Sequence, residues 1–67
     1  MTVGTQVKQT LASLKSAQAS LETFSLGTEN QAAKQLYQTA ATQTQAIIDS
    51  IEPRLQEIEQ EEPQYKQ

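Results

Sequence analysis

The chain contains no cysteine, no histidine and no tryptophan, and its aromatic side chains are two tyrosines and one phenylalanine. Disulfides and thiolate metal sites are therefore excluded, as are catalysis and metal binding by histidine. The two glycines, Gly4 and Gly27, are too few to build a phosphate-binding loop. Serine and threonine are plentiful, but without a histidine base they are not activated as nucleophiles. We predict that the protein is not an enzyme and that it uses no cofactor and no metal ion.

Long apolar runs and basic clusters are also missing. No stretch approaches the ~20 apolar residues that cross a bilayer, and the first residues lack the basic start and apolar core of a secretory signal. Five basic residues against eight acidic ones give a net charge of −3, and they form no basic stripe for nucleic acid. We expect a cytoplasmic protein that binds no nucleic acid and does not insert directly into a membrane.

Apolar residues do recur at the spacing of a helix. The first stripe has steps of four, three, four and three and consists of Val7, Leu11, Leu14, Gln18 and Leu21. The second ends in steps of four, four and three and consists of Ala33, Tyr37, Ala40, Thr44, Ile47, Ile51, Leu55 and Ile58. No segment alternates with the period of a strand. The pattern predicts an all-α fold made of two amphipathic helices.

The segment between the stripes has the features of a tight turn. Gly27 suits the left-handed residue that follows a helix, and Thr28 with Gln31 matches the capping box that opens one. We therefore predict one antiparallel helical-hairpin domain over 1–62. Its predicted parts are helix 1 at about 5–26, the turn at 27–28, helix 2 at about 29–62 and, beyond the domain, a flexible tail at 63–67.

Folding the chain about this turn predicts which residues face each other. Val3 falls opposite Glu52, so the rest of helix 2 overhangs helix 1 by ten residues, ~15 Å. Pro53 removes one helical hydrogen bond there, so we expect it to kink helix 2 or to begin a short third helix. Gln18 falls opposite Tyr37, and the two either hydrogen-bond across the hairpin or both point to water.

Two helices alone cannot enclose a core, because each buries only the stripe that faces the other. Small scaffolds without disulfides or metals generally need self-association. We predict a homodimeric four-helix bundle or a larger helical assembly. The residues predicted to form its interface are Leu36, Ile48, Ile51, Leu55 and Ile58. The alternative is a marginal hairpin that folds only on a different partner.

Acidic residues are concentrated at the end of helix 2. Residues 52–62 carry five glutamates against Arg54 alone, although negative charge at a helix C-terminus opposes the helix dipole. The members of this group with a predicted role in docking a basic partner are Glu57, Glu59, Glu61 and Glu62. The alternatives are a solvated, solubilising end or the binding of a divalent cation.

Two segments carry a resemblance to a known family. They are TVGTQVKQTLASLK at 2–15 and EEPQY at 61–65. The chain resembles a family of short uncharacterised proteins from Bacillus-like spore-forming bacteria. Relatives are encoded beside SpoVA-type spore membrane channel genes, and similar domains occur fused to a small integral membrane protein. The resemblance implies a role linked to sporulation, in the forespore, the spore core or at the spore inner membrane, and it assigns no functional residues.

Two functional hypotheses follow from these observations. The first is a self-associating structural or adaptor protein, linked to sporulation, that docks to a spore membrane protein carrying a similar domain. The second is a small abundant spore protein that protects or stores and is disordered alone. Intrinsic helicity distinguishes them, because a hairpin oligomer is strongly helical in solution and a storage protein is largely unfolded.

Overall fold

The computed structural model describes residues 3–61, which form two long helices joined by a short connection. Helix α1 spans Val3–Gly27 and helix α2 spans Gln31–Glu61, and the two pack side by side in opposite directions. No strand occurs among the described residues. The predicted all-α helical hairpin is confirmed. The predicted tail at 63–67 lies outside the described residues.

Buried positions recur every seven residues along both helices. In α1 they are Gly4, Leu11 and Ser25, with Gln18 half-buried at the fourth position of the same series. In α2 they are Ala41, Ile48 and Leu55. A second seven-residue series is half-buried and consists of Val7, Leu14, Leu21 and Thr28 with Tyr37, Thr44, Ile51 and Ile58. Together the two series form the seam along which the helices touch.

This seam corrects the second predicted stripe. The stripe was expected to run through Ala40 and Ile47, but their neighbours Ala41 and Ile48 are the buried residues. Ile48 is 1% exposed, whereas Ile47 is 47% exposed. A strict seven-residue repeat keeps one face of α2 turned toward α1 over its whole length, and the predicted eleven-residue spacing does not.

The apolar part of the seam lies far from the turn. Its centre consists of Leu11, Ile48 and Leu55, against which Val7, Leu14 and Ile51 pack. Near the turn the buried positions are small, with Ser25 and Ala41 at 5% exposure each. The hydroxyl of Ser25 donates to the carbonyl oxygen of Glu22 at 2.8 Å, so burial leaves it satisfied. The half of the hairpin far from the turn is therefore packed through large apolar side chains, and the half near the turn is packed through small ones.

The connection between the helices differs from the predicted turn. Gly27 is the last residue of α1 and has no left-handed backbone conformation; the N–H of Thr28 continues the helical pattern by donating to the carbonyl of Phe24 at 3.1 Å. Asn30 caps α2, because its Oδ1 accepts from the N–H of Ala33 at 2.9 Å. The predicted capping box from Thr28 is wrong.

The register of the two helices also differs from the prediction. Glu52 was expected opposite Val3, but its Oε2 lies 2.7 Å from Nζ of Lys15, twelve residues further along α1. A second pair joins Nζ of Lys8 to Oε2 of Glu59 at 3.7 Å. Side chains on each helix lean toward that helix's own N-terminus, which is far from the turn in α1 and beside the turn in α2. A residue of α1 therefore touches a residue of α2 whose backbone lies further from the turn than its own.

The predicted overhang of α2 beyond α1 is therefore absent as far as Glu59. Leu55 is 9% exposed and belongs to the seam, and Glu59 still reaches α1 through Lys8. Helix α2 runs without interruption through Pro53, so Pro53 begins no third helix. The expected kink at Pro53 stays a prediction.

Candidate interaction surfaces

The acidic side chains and the hydroxyl groups of the described residues do not converge on one site. Among residues 3–61, no group of three or more acidic side chains is placed to hold a metal ion. Hydroxyl groups are instead bonded within their own helices. Those that donate to a carbonyl three or four residues earlier belong to Thr10, Thr23, Ser25, Thr44 and Ser50.

One edge of the hairpin is charged. It consists of the residues that directly follow half-buried seam positions, and we call it the charged flank. Its members include Lys8, Lys15 and Glu22 on α1 and Gln45, Glu52 and Glu59 on α2. The two ion pairs between the helices both lie on this flank. Exposed pairs of this kind contribute ~0.2–1 kcal/mol each, so they align the helices more than they stabilise them.

Toward the turn, the charged flank opens into a groove of about 640 Å³. Its residues are Gln18, Glu22, Ser25 and Leu26 of α1 with Gln38, Ala41, Thr42, Gln45, Ala46 and Asp49 of α2. The amide of Gln18 donates to Glu22 at 3.3 Å, and that of Gln45 donates to Asp49 at 2.8 Å. Each helix thus pairs one amide of the groove with a carboxylate four residues later on the same helix.

The position of Gln18 also decides the predicted contact with Tyr37. Gln18 bonds to Glu22 on its own helix, while the ring of Tyr37 meets the ring of Phe24 edge to face, with centroids 5.8 Å apart. The hydrogen bond between Gln18 and Tyr37, one of the two alternatives for this pair, is therefore not formed. The polar residue at this seam position turns toward the charged flank, and two aromatic rings link the helices on the other side.

The opposite edge of the hairpin is formed by the residues that directly precede buried seam positions. We call it the uncharged flank, because Arg54, far from the turn, is its one charged member among the described residues. Its members toward the turn are Ala17 and Phe24 on α1 with Ala40 and Ile47 on α2. Leu36, one helical turn before Ala40, extends the same edge. Phe24, Leu36 and Ile47 are 52%, 64% and 47% exposed. Large apolar side chains thus stand in water beside small ones.

The residues of the predicted interface differ in their exposure to solvent. Leu36 is well exposed, and Ile51 and Ile58 are half-buried. Ile48 and Leu55, which were also assigned to that interface, are buried in the seam between the two helices of one hairpin. Sequence reasoning missed Ile47 as an exposed residue. The buried residues Ala41, Ile48 and Leu55 repeat every seven positions, and Ile47 lies one position before this series. That offset is the signal in the sequence that identifies Ile47 as exposed.

The predicted acidic docking group is partly neutralised within the hairpin. Oε1 of Glu57 lies 3.1 Å from the guanidinium of Arg54, and Glu59 pairs with Lys8. Glu61 is exposed at the end of α2. Glu62 lies outside the described residues. The role of this group in docking stays a prediction.

Neither of the two described helices has an apolar stretch long enough to cross a bilayer. The fold and its surfaces together define an all-α helical hairpin with one charged and one uncharged flank. The model of the family "Protein of unknown function (DUF1657)" matches residues 7–55, which is more than half of the chain, and the chain belongs to that family. Comparison with the curated proteins gives no match, and comparison with the solved structures gives none either.

Proposed function

We propose that the protein is a non-enzymatic, self-associating helical module that acts as a structural or adaptor protein. The observation that carries the proposal is the exposure of Phe24, Leu36 and Ile47 on one uncharged edge. Large apolar side chains grouped on a surface mark sites of protein association. The seven-residue repeat of buried positions supports coiled-coil packing, a common basis for helical assemblies.

The small core supports the same proposal. Among the described residues, the buried hydrophobic side chains are Leu11, Ala41, Ile48 and Leu55. Chains below ~70–80 residues seldom obtain more than ~3–5 kcal/mol from such a core, and many gain the rest by oligomerisation. Because the sequence has no cysteine, disulfides cannot replace association here.

The setting of this role is proposed from the resemblance of the segments 2–15 and 61–65 to proteins of Bacillus-like spore formers. We place the protein in the forespore or spore core, held near the inner membrane by a spore membrane protein that carries a similar domain. The acidic residues at the end of α2 tune the choice of partner.

An immunoblot through growth and sporulation of the native host tests this setting. We expect the protein in sporulating cells, and equal amounts in growing cells would contradict the link.

Light scattering coupled to size exclusion, with far-UV circular dichroism on the same peak, tests self-association. We expect a strongly helical dimer or higher oligomer. A helical monomer at micromolar concentration would contradict self-association. An unfolded monomer would favour the second hypothesis, a protective or storage protein that is disordered alone.

A further inference from the structure

We propose that a second copy of this chain binds the uncharged flank, so that two hairpins pack face to face about a two-fold axis. This deepens the proposed self-association and rests on it. The core of the interface consists of Phe24, Leu36 and Ile47, with Ala17 and Ala40 between them. The charged flank, with its ion pairs, stays at the outer edge of the assembly.

The distribution of charge selects this edge over the opposite one. On the charged flank, Lys8 and Lys15 already have partners in Glu59 and Glu52, and covering them would cost desolvation without adding an ion pair. On the uncharged flank, no charged residue belongs to α1 between Val3 and Phe24, and Arg54 is the first on α2 beyond Ile47. A partner for this surface therefore has to be uncharged and apolar at its centre.

The sizes of the side chains favour a second copy as that partner. In a two-fold interface the same patch meets itself, so a large residue of one subunit has to find space on the other. The uncharged flank supplies both kinds, because the large Phe24 and Ile47 alternate with the small Ala17 and Ala40. Layers of large and small residues interdigitate when two such faces are brought together.

The dimensions of the hairpin are also sufficient. A stable dimer buries about 800 Å² per partner. The hairpin measures 52 × 17 × 11 Å, and the uncharged flank lies on one of its 52 × 17 Å sides because it runs along both helices. That side offers roughly 880 Å², with Arg54 at the end far from the turn. One broad side is thus enough for one copy, and the interface can reach the usual size without any overhanging helix.

Two aspartate variants with opposite expected results test the proposal. Ile47→Asp places a charge in the centre of the uncharged flank, and each dimer would carry it twice. Leu26→Asp makes the same kind of change at a residue that is 82% exposed and lines the groove on the charged flank. By sedimentation equilibrium we expect Ile47→Asp to raise the dimer Kd at least ~100-fold. Leu26→Asp should leave the Kd within about threefold of wild type.

The outcomes separate this inference from the proposed function. A wild-type monomer would refute self-association and the inference together. A wild-type dimer that survives Ile47→Asp with its helicity intact would refute the uncharged flank alone, and so would a dimer broken equally by Leu26→Asp. If Ile47→Asp loses its helical circular dichroism, the test is repeated with Leu36→Asp, a more exposed residue of the same edge. We expect the same rise in the dimer Kd for this variant.

Discussion

Ile47 and Ile48 are adjacent and chemically identical, yet one stands in water and the other is 1% exposed. Successive helix residues point about 100° apart, so a seam can take only one of two adjacent isoleucines. Ala40 and Ala41 pose the same choice seven residues earlier. Apolar spacing predicts that a seam passes through these pairs, and the next position of each series distinguishes their members. Leu55 continues the series of Ala41 and Ile48, whereas the charged Arg54 continues that of Ala40 and Ile47.

The burial of single side chains is testable with two leucines of the same helix. Leu11 is 4% exposed and Leu26 is 82% exposed. We expect Leu11→Ala to lower the free energy of unfolding by about 2–5 kcal/mol, because it leaves a cavity in the core. Leu26→Ala should change it by less than ~0.5 kcal/mol. Urea unfolding followed by circular dichroism measures both, and equal losses would contradict the assigned seam.

The start of α2 provides a second test at the scale of the residue. Asn30 accepts from the N–H of Ala33, whereas Thr28 accepts from the N–H of Asn30 in the connection, at 3.2 Å. Removing an N-cap side chain costs ~1 kcal/mol. We expect Asn30→Ala to destabilise the protein by about that amount and Thr28→Ala by clearly less, in thermal unfolding at one protein concentration. The reverse order would restore the capping box predicted from the sequence.

At the scale of the element, both helices could be predicted from the sequence, but their alignment could not. Helix formation follows from the spacing of apolar residues, which is a local property. The alignment depends on which of several polar residues near the turn caps α2. Thr28 and Asn30 are both good caps. Moving the start of α2 by two residues shifts every contact between the two helices along the hairpin. The prediction chose Thr28, and its register failed for that reason together with the lean of the side chains.

Cysteine cross-linking tests the alignment directly, because the chain has no cysteine of its own. In Lys15→Cys/Glu52→Cys, the two thiols replace longer side chains whose ends lie 2.7 Å apart, so the linker has to span the length that the two side chains lose. In Val3→Cys/Glu52→Cys, the first thiol is moved twelve residues, ~18 Å, along α1. With a short bismaleimide at low protein concentration, we expect the first variant to cross-link within one chain. The second should not, and efficient linkage of Val3→Cys/Glu52→Cys would support the register predicted from the sequence.

At the scale of the whole molecule, the class of fold was predictable and the candidate surface was only partly so. Leu36 was among the residues predicted to associate, and it is exposed. Phe24 and Ile47 were not among them, and the predicted stripe placed Ile47 in the seam in place of Ile48. A residue that is wrongly left out of the predicted core is wrongly assigned to the predicted surface. Ile48 and Leu55 are examples, because they were predicted to form the interface and are buried in the core.

The position of the apolar core predicts how the hairpin opens. Leu11, Ile48 and Leu55 pack together far from the turn, whereas the seam near the turn holds small residues such as Ser25 and Ala41. Amide hydrogens are protected most where local opening exposes most apolar surface. In hydrogen exchange we expect the slowest amides around Leu11 and Ile48. Greater protection beside the turn would contradict this distribution of stability.

The same core sets the order in which the chain can fold. Leu11 and Leu55 are forty-four residues apart, whereas the ring pair of Phe24 and Tyr37 near the turn spans thirteen. Closing the longer loop costs about 1 kcal/mol more in chain entropy. The contacts that form most easily are therefore not the ones that hold the molecule together. Folding has to bring distant parts of the chain together before it gains its main stabilisation, which makes it slower than in a hairpin that closes outward from its turn.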